Sequence, residues 1–244
     1  MRYFIRFAYN GTHYHGWQSQ PNATSVQETL TKAMTVILNT EITLMGAGRT
    51  DSGVHAREMY AHFDVENAIE KTNCVHKLNS YLPKDLVVYE IIPVHDEAHA
   101  RFDATNRTYQ YHINAIKNVF LEEQSWYYQA NLDIDLMNEA AQLLLTHTDF
   151  QSFSKVNTDV NTYNCKIVQA YWKQEKEQLI FTISADRFLR NMVRAIVGTL
   201  IYVGLHKISI ATFNQIIESK DRNKAGFSVP AHGLYLTHIT YPYI

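Results

Sequence analysis

The segment from Gly46 to His55, GAGRTDSGVH, concentrates reactive side chains between flexible backbone positions. Three of the nine glycines in the chain lie in this segment, which indicates a sharp, exposed bend. Between these glycines, Arg49 stands two positions before Asp51, and a guanidinium near a carboxylate keeps the carboxylate ionised. An ionised aspartate can act as a nucleophile or as a general base. The segment is therefore predicted to be a catalytic loop with Asp51 at its tip.

The same residue types also form ordinary polar turns, in which Asp and Ser side chains bond to nearby backbone N–H groups. The residues of the loop alone leave both interpretations open. The segment resembles the active-site loop of the tRNA pseudouridine synthases of the TruA family, whose pattern is G-R-T-D-A-G-V-H. Ser52 replaces the alanine of that pattern, which exchanges one small residue for another. In that family the aspartate is the catalytic residue, and the resemblance assigns this role to Asp51.

Length and composition indicate a compact cytoplasmic protein. The 244 residues suffice for one large domain or two smaller ones, and 46% hydrophobic with 19% charged residues predict no disordered segment. The longest apolar run, 195–205, is too short to cross a membrane, and the N-terminus reads as a strand and not as an export signal. Cys74 and Cys165 are too few for a disulfide framework or a thiolate metal site. We expect no metal and no membrane segment.

The net charge of −2 argues against a nucleic-acid partner unless the cationic side chains are concentrated on one face. The candidates for such a face are Arg49, Arg57, Arg101, Arg107, Lys155, Arg187, Arg190 and Arg194. A more distant alternative is a metal-dependent hydrolase built on histidines. His13 and His15 lack the carboxylate or thiolate neighbours that a metal site needs, so a structural role is favoured for both.

We predict an α+β protein of two ferredoxin-like or RRM-like subdomains, and hydrophobic periodicity supports the first of them. In the first part, helices and strands follow the order β, α, β, β, α, β of the split βαβ pattern. The predicted elements are strands at 2–9, 41–46, 57–64 and 86–94, a helix opened by a capping box at Ser25 and Glu28, and a helix at 68–80. The ARFDA segment at 100–104 is interpreted as a further strand.

The predicted boundary follows residue 104. It gives an N-terminal domain, 1–104, that carries the aspartate loop, and a C-terminal domain, 105–244, that completes the site. We expect antiparallel sheets in both subdomains to join into one central sheet, with an active-site cleft between the subdomains.

In the second domain, strand alternation in NRTYQYHI places Arg107 and Tyr109 on the same face. A cation and an aromatic ring on one face suit a flipped base and its phosphate, although tyrosine also favours strands for packing alone. The stretch resembles the R-x-Y-x-Y block of the same family, whose first tyrosine packs on the target base. The resemblance assigns that role to Tyr109 and leaves Tyr111 structural.

The segment ADRFLRNMVRAIVGTL is predicted to be a helix capped by Asp186, with a core stripe beside Arg187, Arg190 and Arg194. Such an arginine stripe is typical of a solvated helix face. Gly198, in the middle of this helix, costs about 1 kcal/mol relative to alanine unless another group packs closely against it. The run resembles the F-L-R-N-M-V-R-x-I-V-G block of the family, in which the second arginine pairs with the catalytic aspartate. The resemblance makes Arg194 that partner.

The resemblance extends over six blocks, in the same order, along nearly the whole chain. It implies that Leu234 lines the base pocket, and that the chain is an isomerase which converts uridine to pseudouridine in the anticodon stem-loop of transfer RNA, at positions 38 to 40. It also implies a homodimer. Arg49, Arg57 and Arg107 are the candidates for contacts to the RNA. The reaction oxidises nothing and adds no atom, so no cofactor is expected. The alternative is a non-catalytic RNA-binding or RNA-folding protein that uses the same cleft.

Overall fold

The computed structural model describes residues 1–156 and 160–244. The chain forms two compact units, the first comprising Met1–Thr105 with Tyr235–Ile244 and the second Asn106–Leu234. Both units contain helices and strands, which confirms the predicted α+β class. The final segment, Tyr235–Ile244, groups with the first unit because its strand pairs there.

In chain order, the strands and helices are β1 (Arg2–Tyr9), α1 (Val26–Leu38), β2 (Met45–Gly46), β3 (His55–Asp64), α2 (Lys71–Tyr81), β4 (Leu86–Val94), β5 (Asn106–Asn114), β6 (Trp126–Tyr127), α3 (Ile134–Leu143), β7 (Ile167–Glu175), β8 (Gln178–Ala185), α4 (Met192–Gly204), α5 (Ile210–Glu218) and β9 (Leu234–Thr240). Of the helices in the described ranges, none has both the length and the hydropathy required to cross a membrane.

In the first unit the strands pair in the order β4, β1, β3, β9, and the short β2 also pairs with β3. β1 runs antiparallel to β3 and to β4, whereas β9 runs parallel to β3 with Tyr235 opposite His55. The expectation of a purely antiparallel sheet is therefore wrong for this unit. The last strand approaches β3 after a long excursion of the chain, not through a tight hairpin, and this connection permits a parallel pair.

Helix α1 follows from local sequence signals. The Ser25 hydroxyl accepts a hydrogen bond from the backbone N–H of Glu28 at 3.2 Å, which caps the first turn. The buried residues Val26, Leu30 and Met34 recur at helical spacing on one side of the helix. Asn39 then ends the helix in the left-handed conformation, with φ of +52°. The Glu28 carboxylate pairs with Lys32 and does not complete the reciprocal half of the predicted capping box.

In the second unit β5, β8 and β7 form antiparallel neighbours, and β6 pairs with β5 in parallel. Helix α4 begins at Met192, after Asn191 in the left-handed conformation. The prediction that Asp186 caps this helix is wrong. Its carboxylate accepts hydrogen bonds from the backbone N–H groups of Lys166 and Arg187 instead, at 2.8 and 2.7 Å.

Gly198 lies inside α4 for a packing reason. A Cβ atom at this position would lie 1.9 Å from the carbonyl oxygen of Phe227, so only glycine fits beneath that backbone. The cost of glycine in a helix interior is therefore offset by the close approach of the segment that precedes β9.

The ARFDA segment is a turn and not the predicted strand. The backbone N–H groups of Ala100, Arg101 and Phe102 bond to side chains of the same unit, so no strand partner receives them. Arg101 and Phe102 are exposed on this turn.

Candidate active site

The loop that carries Asp51 lies against the preceding loop of the same unit. The backbone N–H of Gly53 donates to the carbonyl oxygen of Tyr14 at 3.3 Å, and the Ser52 hydroxyl donates to the same oxygen at 3.3 Å. The backbone N–H of Trp17 donates to the carbonyl oxygen of Thr50 at 3.4 Å. The backbone is therefore held immediately before and after Asp51.

Three of the four glycines in and beside this loop satisfy definite steric requirements. Gly16 has φ of +87°, and a Cβ there would lie 2.3 Å from the carbonyl oxygen of Thr50. Gly53 has φ of +77°, and a Cβ at Gly46 would lie 2.5 Å from the indole of Trp17. Gly48 meets neither condition, since a Cβ there would meet no atom of the described residues within 4 Å. The predicted left-handed angles and close approaches are confirmed at Gly53 and Gly46.

Asp51 is half-buried, so it lies neither in bulk solvent nor in the hydrophobic interior, where it could not act as a catalytic group. Its backbone carbonyl accepts a hydrogen bond from the N–H of Val54 at 3.2 Å, which closes the tip of the loop. A carboxylate in this setting is accessible to a substrate and has its backbone fixed. Both properties are required of a group that must meet one reacting atom.

The candidate RNA-binding arginines of the first unit are exposed. Arg49 precedes Asp51 in the loop, and Arg57 follows it at the beginning of β3. The guanidinium of Arg57 lies 4.9 Å from the ring centroid of Tyr235, in cation–π geometry. His55 stacks on Tyr235 at 4.6 Å, and its Nδ1 atom accepts a hydrogen bond from the backbone N–H of Gly11 at 3.0 Å, so it ties the preceding loop to the strand.

The two tyrosines of β5 differ in burial. Tyr109 is half-buried, and its ring meets the edge of Phe188 with centroids 5.1 Å apart. Tyr111 is fully buried, and its hydroxyl donates to the carbonyl oxygen of Pro230 at 2.9 Å. Burial raises the pKa of the Tyr111 hydroxyl well above its ordinary value, so the group stays protonated as a structural donor. Arg107 donates from its Nη1 atom to the carbonyl oxygen of Asp186 at 2.7 Å.

Arg194 is anchored to the segment before β9. Its Nε donates to the carbonyl oxygen of Val229 at 2.7 Å, and the N–H of Val229 returns a hydrogen bond to the Arg194 carbonyl at 3.3 Å. The guanidinium is half-buried. Leu234 is 6% exposed at the start of β9. Arg107, Tyr109, Arg194 and Leu234 belong to the second unit, and Arg49, Asp51 and Arg57 to the first.

The sequence reasoning assigned no role to Gly16, although this residue fixes the backbone beside Asp51. Its positive φ leaves no sequence signal apart from the glycine itself.

Comparison with known proteins places these residues in a family. The family model described as tRNA pseudouridine synthase matches residues 5–103 and 140–242. The chain belongs to the tRNA pseudouridine synthase family. This membership confirms the predicted enzyme class, an isomerase that converts uridine to pseudouridine in transfer RNA.

Curated relatives of this family match the chain along its length. The tRNA pseudouridine synthase A of Parabacteroides distasonis is 52% identical over 242 residues, which cover 99% of this chain and 96% of that protein. The Porphyromonas gingivalis protein of the same name is 52% identical over 245 residues, with 99% and 97% covered. The Thermoanaerobacter sp. protein is 41% identical over 236 residues, with 96% of both chains covered. Among solved structures, a CRISPR endoribonuclease bound to RNA matches with 9% identity and a TM-score of 0.23, and the match covers 84% of this chain and 97% of that one.

Proposed function

We propose that this pseudouridine synthase acts on uridines of the anticodon stem-loop, at positions 38 to 40 of the transfer RNA, with Asp51 as the catalytic nucleophile or base. The observation that carries the proposal is the half-buried carboxylate at the tip of a loop whose backbone is bonded on both sides. The reaction breaks the bond between uracil nitrogen and ribose, turns the ring and rejoins it through carbon. A carboxylate can attack the sugar, attack the ring or remove a proton in such a sequence.

Arg194 is proposed as the cation that keeps Asp51 ionised. Support comes from the anchoring of its Nε to Val229, because a hydrogen bond at the Nε atom fixes the direction of the guanidinium plane. A half-buried cation also acts more strongly on a nearby carboxylate than an exposed one does, since less water screens the pair. The pairing of Asp51 with Arg194 remains a prediction.

Tyr109 is proposed to stack on the target base, with Leu234 in the base pocket. The edge contact with Phe188 holds the Tyr109 ring in one orientation, which lowers the entropy cost of stacking. Leu234 supplies apolar surface close to the chain segment that anchors Arg194. A base that has left its stack needs such a surface to recover the few kcal/mol lost on unstacking.

Arg49, Arg57 and Arg107 are proposed to contact the RNA backbone. The first two are exposed, and the cation–π contact restrains Arg57 before any RNA binds. Each phosphate contact releases condensed counterions, so binding should weaken steeply with salt despite the net charge of −2.

The finer architecture is also a proposal. We infer two ferredoxin-like subdomains, 1–104 and 105–244, with the active-site cleft between them, and a cytoplasmic homodimer. The order of β1 to β4 with α1 and α2 supports the first subdomain, because it follows the split βαβ pattern. Light scattering at micromolar concentration tests the oligomeric state.

The decisive experiment is the Asp51→Asn variant, assayed with an unmodified transfer RNA transcript. We expect no pseudouridine, and an affinity for the transcript close to that of the wild type, because the exchange removes the charge and keeps the shape. Asp96→Asn, which alters an exposed carboxylate of the same unit, is the matched control and should retain activity. Product formation by Asp51→Asn at the wild-type rate would show that this carboxylate is not catalytic.

Mapping pseudouridine in transfer RNA from cells with and without the protein tests the target site. Loss of the modification at positions 38 to 40 supports the proposal, and loss elsewhere refutes it. If the wild type binds the transcript without converting any uridine, the non-catalytic RNA-binding alternative is correct.

A further inference from the structure

Arg101 and Phe102 form an exposed cation–aromatic pair on the turn that follows β4. The Phe102 side chain is 73% exposed, and the guanidinium of Arg101 lies 5.5 Å from its ring centroid. His99 meets the same ring with centroids 4.3 Å apart. A single exposed apolar side chain is ordinary on a protein surface, so the exposure of Phe102 alone indicates nothing. The significant observation is how firmly the turn beneath it is held.

His99 and Asp103 organise the turn through hydrogen bonds to its backbone. The Nδ1 atom of His99 accepts from the N–H groups of Arg101 and Phe102 at 3.1 and 3.3 Å. The Asp103 carboxylate accepts from the N–H of His99 at 2.7 Å and from the Tyr243 hydroxyl at 2.7 Å. These bonds fix the two residues that present the cation and the ring.

Ala100 is held from the sheet below. Its N–H donates to the Nδ1 atom of His62 at 3.1 Å, and its carbonyl oxygen accepts from the Tyr241 hydroxyl at 2.6 Å. The five backbone N–H groups from residue 99 to residue 103 therefore all have acceptors within the unit. A turn bonded this completely loses little entropy when a ligand stacks on its side chains.

The chemistry of the pair indicates the ligand. A flat, exposed ring can stack on the π face of a nucleobase, and the guanidinium beside it can contact the negatively charged phosphate of the same nucleotide or the next one. Phe120, which is 86% exposed in the second unit, is a contrasting case because Glu122 and Glu123 follow it closely. Carboxylates beside the ring would repel a phosphate, so Phe120 does not fit the same ligand.

We propose that Phe102 stacks on an unpaired nucleobase of the transfer RNA other than the uridine being converted, and that Arg101 contacts the adjoining phosphate. The inference rests on the proposed function, since it assumes that transfer RNA is bound. It adds a second aromatic contact, one that holds the RNA without taking part in the reaction. Stacking of this kind tolerates any base, because every base has a π face.

The test measures the affinity of full-length variants for an unmodified transfer RNA transcript at fixed salt. Phe102→Ala and Phe102→Leu should each weaken binding about 5- to 100-fold, the range that loss of one base stack produces. Phe102→Trp should bind as the wild type does, and Phe120→Ala, a matched exposed phenylalanine, should be unchanged. Arg101→Gln should lower the slope of log affinity against log salt by about 1.

Measurements of kcat and KM distinguish a binding contact of this kind from a role in catalysis. Phe102→Ala should raise KM and leave kcat unchanged, because the stack is made equally in the ground state and the transition state.

Unchanged affinity of Phe102→Ala would overturn the inference. So would full affinity of Phe102→Leu, which would indicate an apolar contact without stacking. A change in oligomeric state on light scattering would place the ring in a protein interface and also overturn it. If the wild type makes no pseudouridine, the proposed function fails first, and this result is distinct from all of these.

Discussion

Replacing Gly16 with alanine tests whether the Asp51 loop is positioned by the close backbone contact beneath it. Gly16 has φ of +87°, a conformation that costs an L-residue about 1–2 kcal/mol. The new Cβ would lie 2.3 Å from the Thr50 carbonyl oxygen and 3.1 Å from the Asp51 carbonyl carbon. Ordinary van der Waals contact requires about 3.5 Å, so the oxygen must retreat by about 1 Å.

This displacement moves the residue next to Asp51, so activity should fall together with stability. A misplacement of about 1 Å costs on the order of 100-fold in rate when the geometry of a catalytic group matters. We expect kcat of Gly16→Ala to fall by about that factor, and the free energy of unfolding to fall by about 2–4 kcal/mol from backbone strain and the clash.

The assay pairs single-turnover conversion of a transfer RNA transcript with urea denaturation of the same sample. Gly48→Ala is the matched control, because its Cβ would meet no atom of the described residues within 4 Å and its φ is not positive. Its stability should equal or slightly exceed that of the wild type. If Gly16→Ala has the turnover and stability of the wild type, the close packing of the loop does not position the catalytic carboxylate.

Two further predictions concern stability within single units. Burial, His99 and Arg2 lower the pKa of His62 from 6.5 to about 4. Neutral His62 therefore contributes to the free energy of unfolding above pH 6.5. This contribution is lost as the pH falls towards 4, because only the unfolded chain takes up the proton between these pH values. Urea denaturation of the wild type should show a free energy of unfolding about 2–3 kcal/mol lower at pH 4.5 than at pH 7, and a smaller difference for His62→Gln. An equal difference in the wild type and the variant would contradict the assignment of this pH dependence to His62. Gly198→Ala should lower the free energy of unfolding by about 2–4 kcal/mol, since its Cβ would lie 1.9 Å from the Phe227 carbonyl oxygen; a gain in stability from the higher helix propensity of alanine would disprove that contact.

Features determined by neighbouring residues were predictable from the sequence. The cap at Ser25 and the left-handed angle at Gly53 depend on local contacts or angles that residue type and spacing indicate directly. The clustered glycines also indicated the close approach at Gly46, although its partner, Trp17, is distant in the sequence. The family resemblance at Asp51 was likewise local, since it rests on one uninterrupted segment. Whether Asp51 meets Arg194 depends on a contact between distant parts of the chain, and spacing carries no information about it.

The errors arose where a contact between residues distant in the sequence decided the local structure. The ARFDA segment alternates like a strand, yet the acceptor for Ala100 is His62, which belongs to β3. The parallel pairing of Tyr235 with His55 could not be predicted from the sequence either, because no periodicity in β9 distinguishes a parallel neighbour from an antiparallel one. Asp186 has the residue type of a helix cap, but its carboxylate accepts a hydrogen bond from the N–H of Lys166, which lies immediately before β7.

The insertion of β9 beside β3 has a consequence for synthesis on the ribosome. The strand that completes the first sheet is translated only after the whole of Asn106–Leu234. Until it emerges, the strand edge beside His55 has no partner, and the hydroxyls of Tyr241 and Tyr243 are missing from the turn at Ala100 and Asp103. The nascent first unit therefore has an unpaired edge at β3 until β9 is translated. A chain released from a ribosome that stalls before codon 235 keeps this edge unpaired and is prone to form strand pairs with other chains.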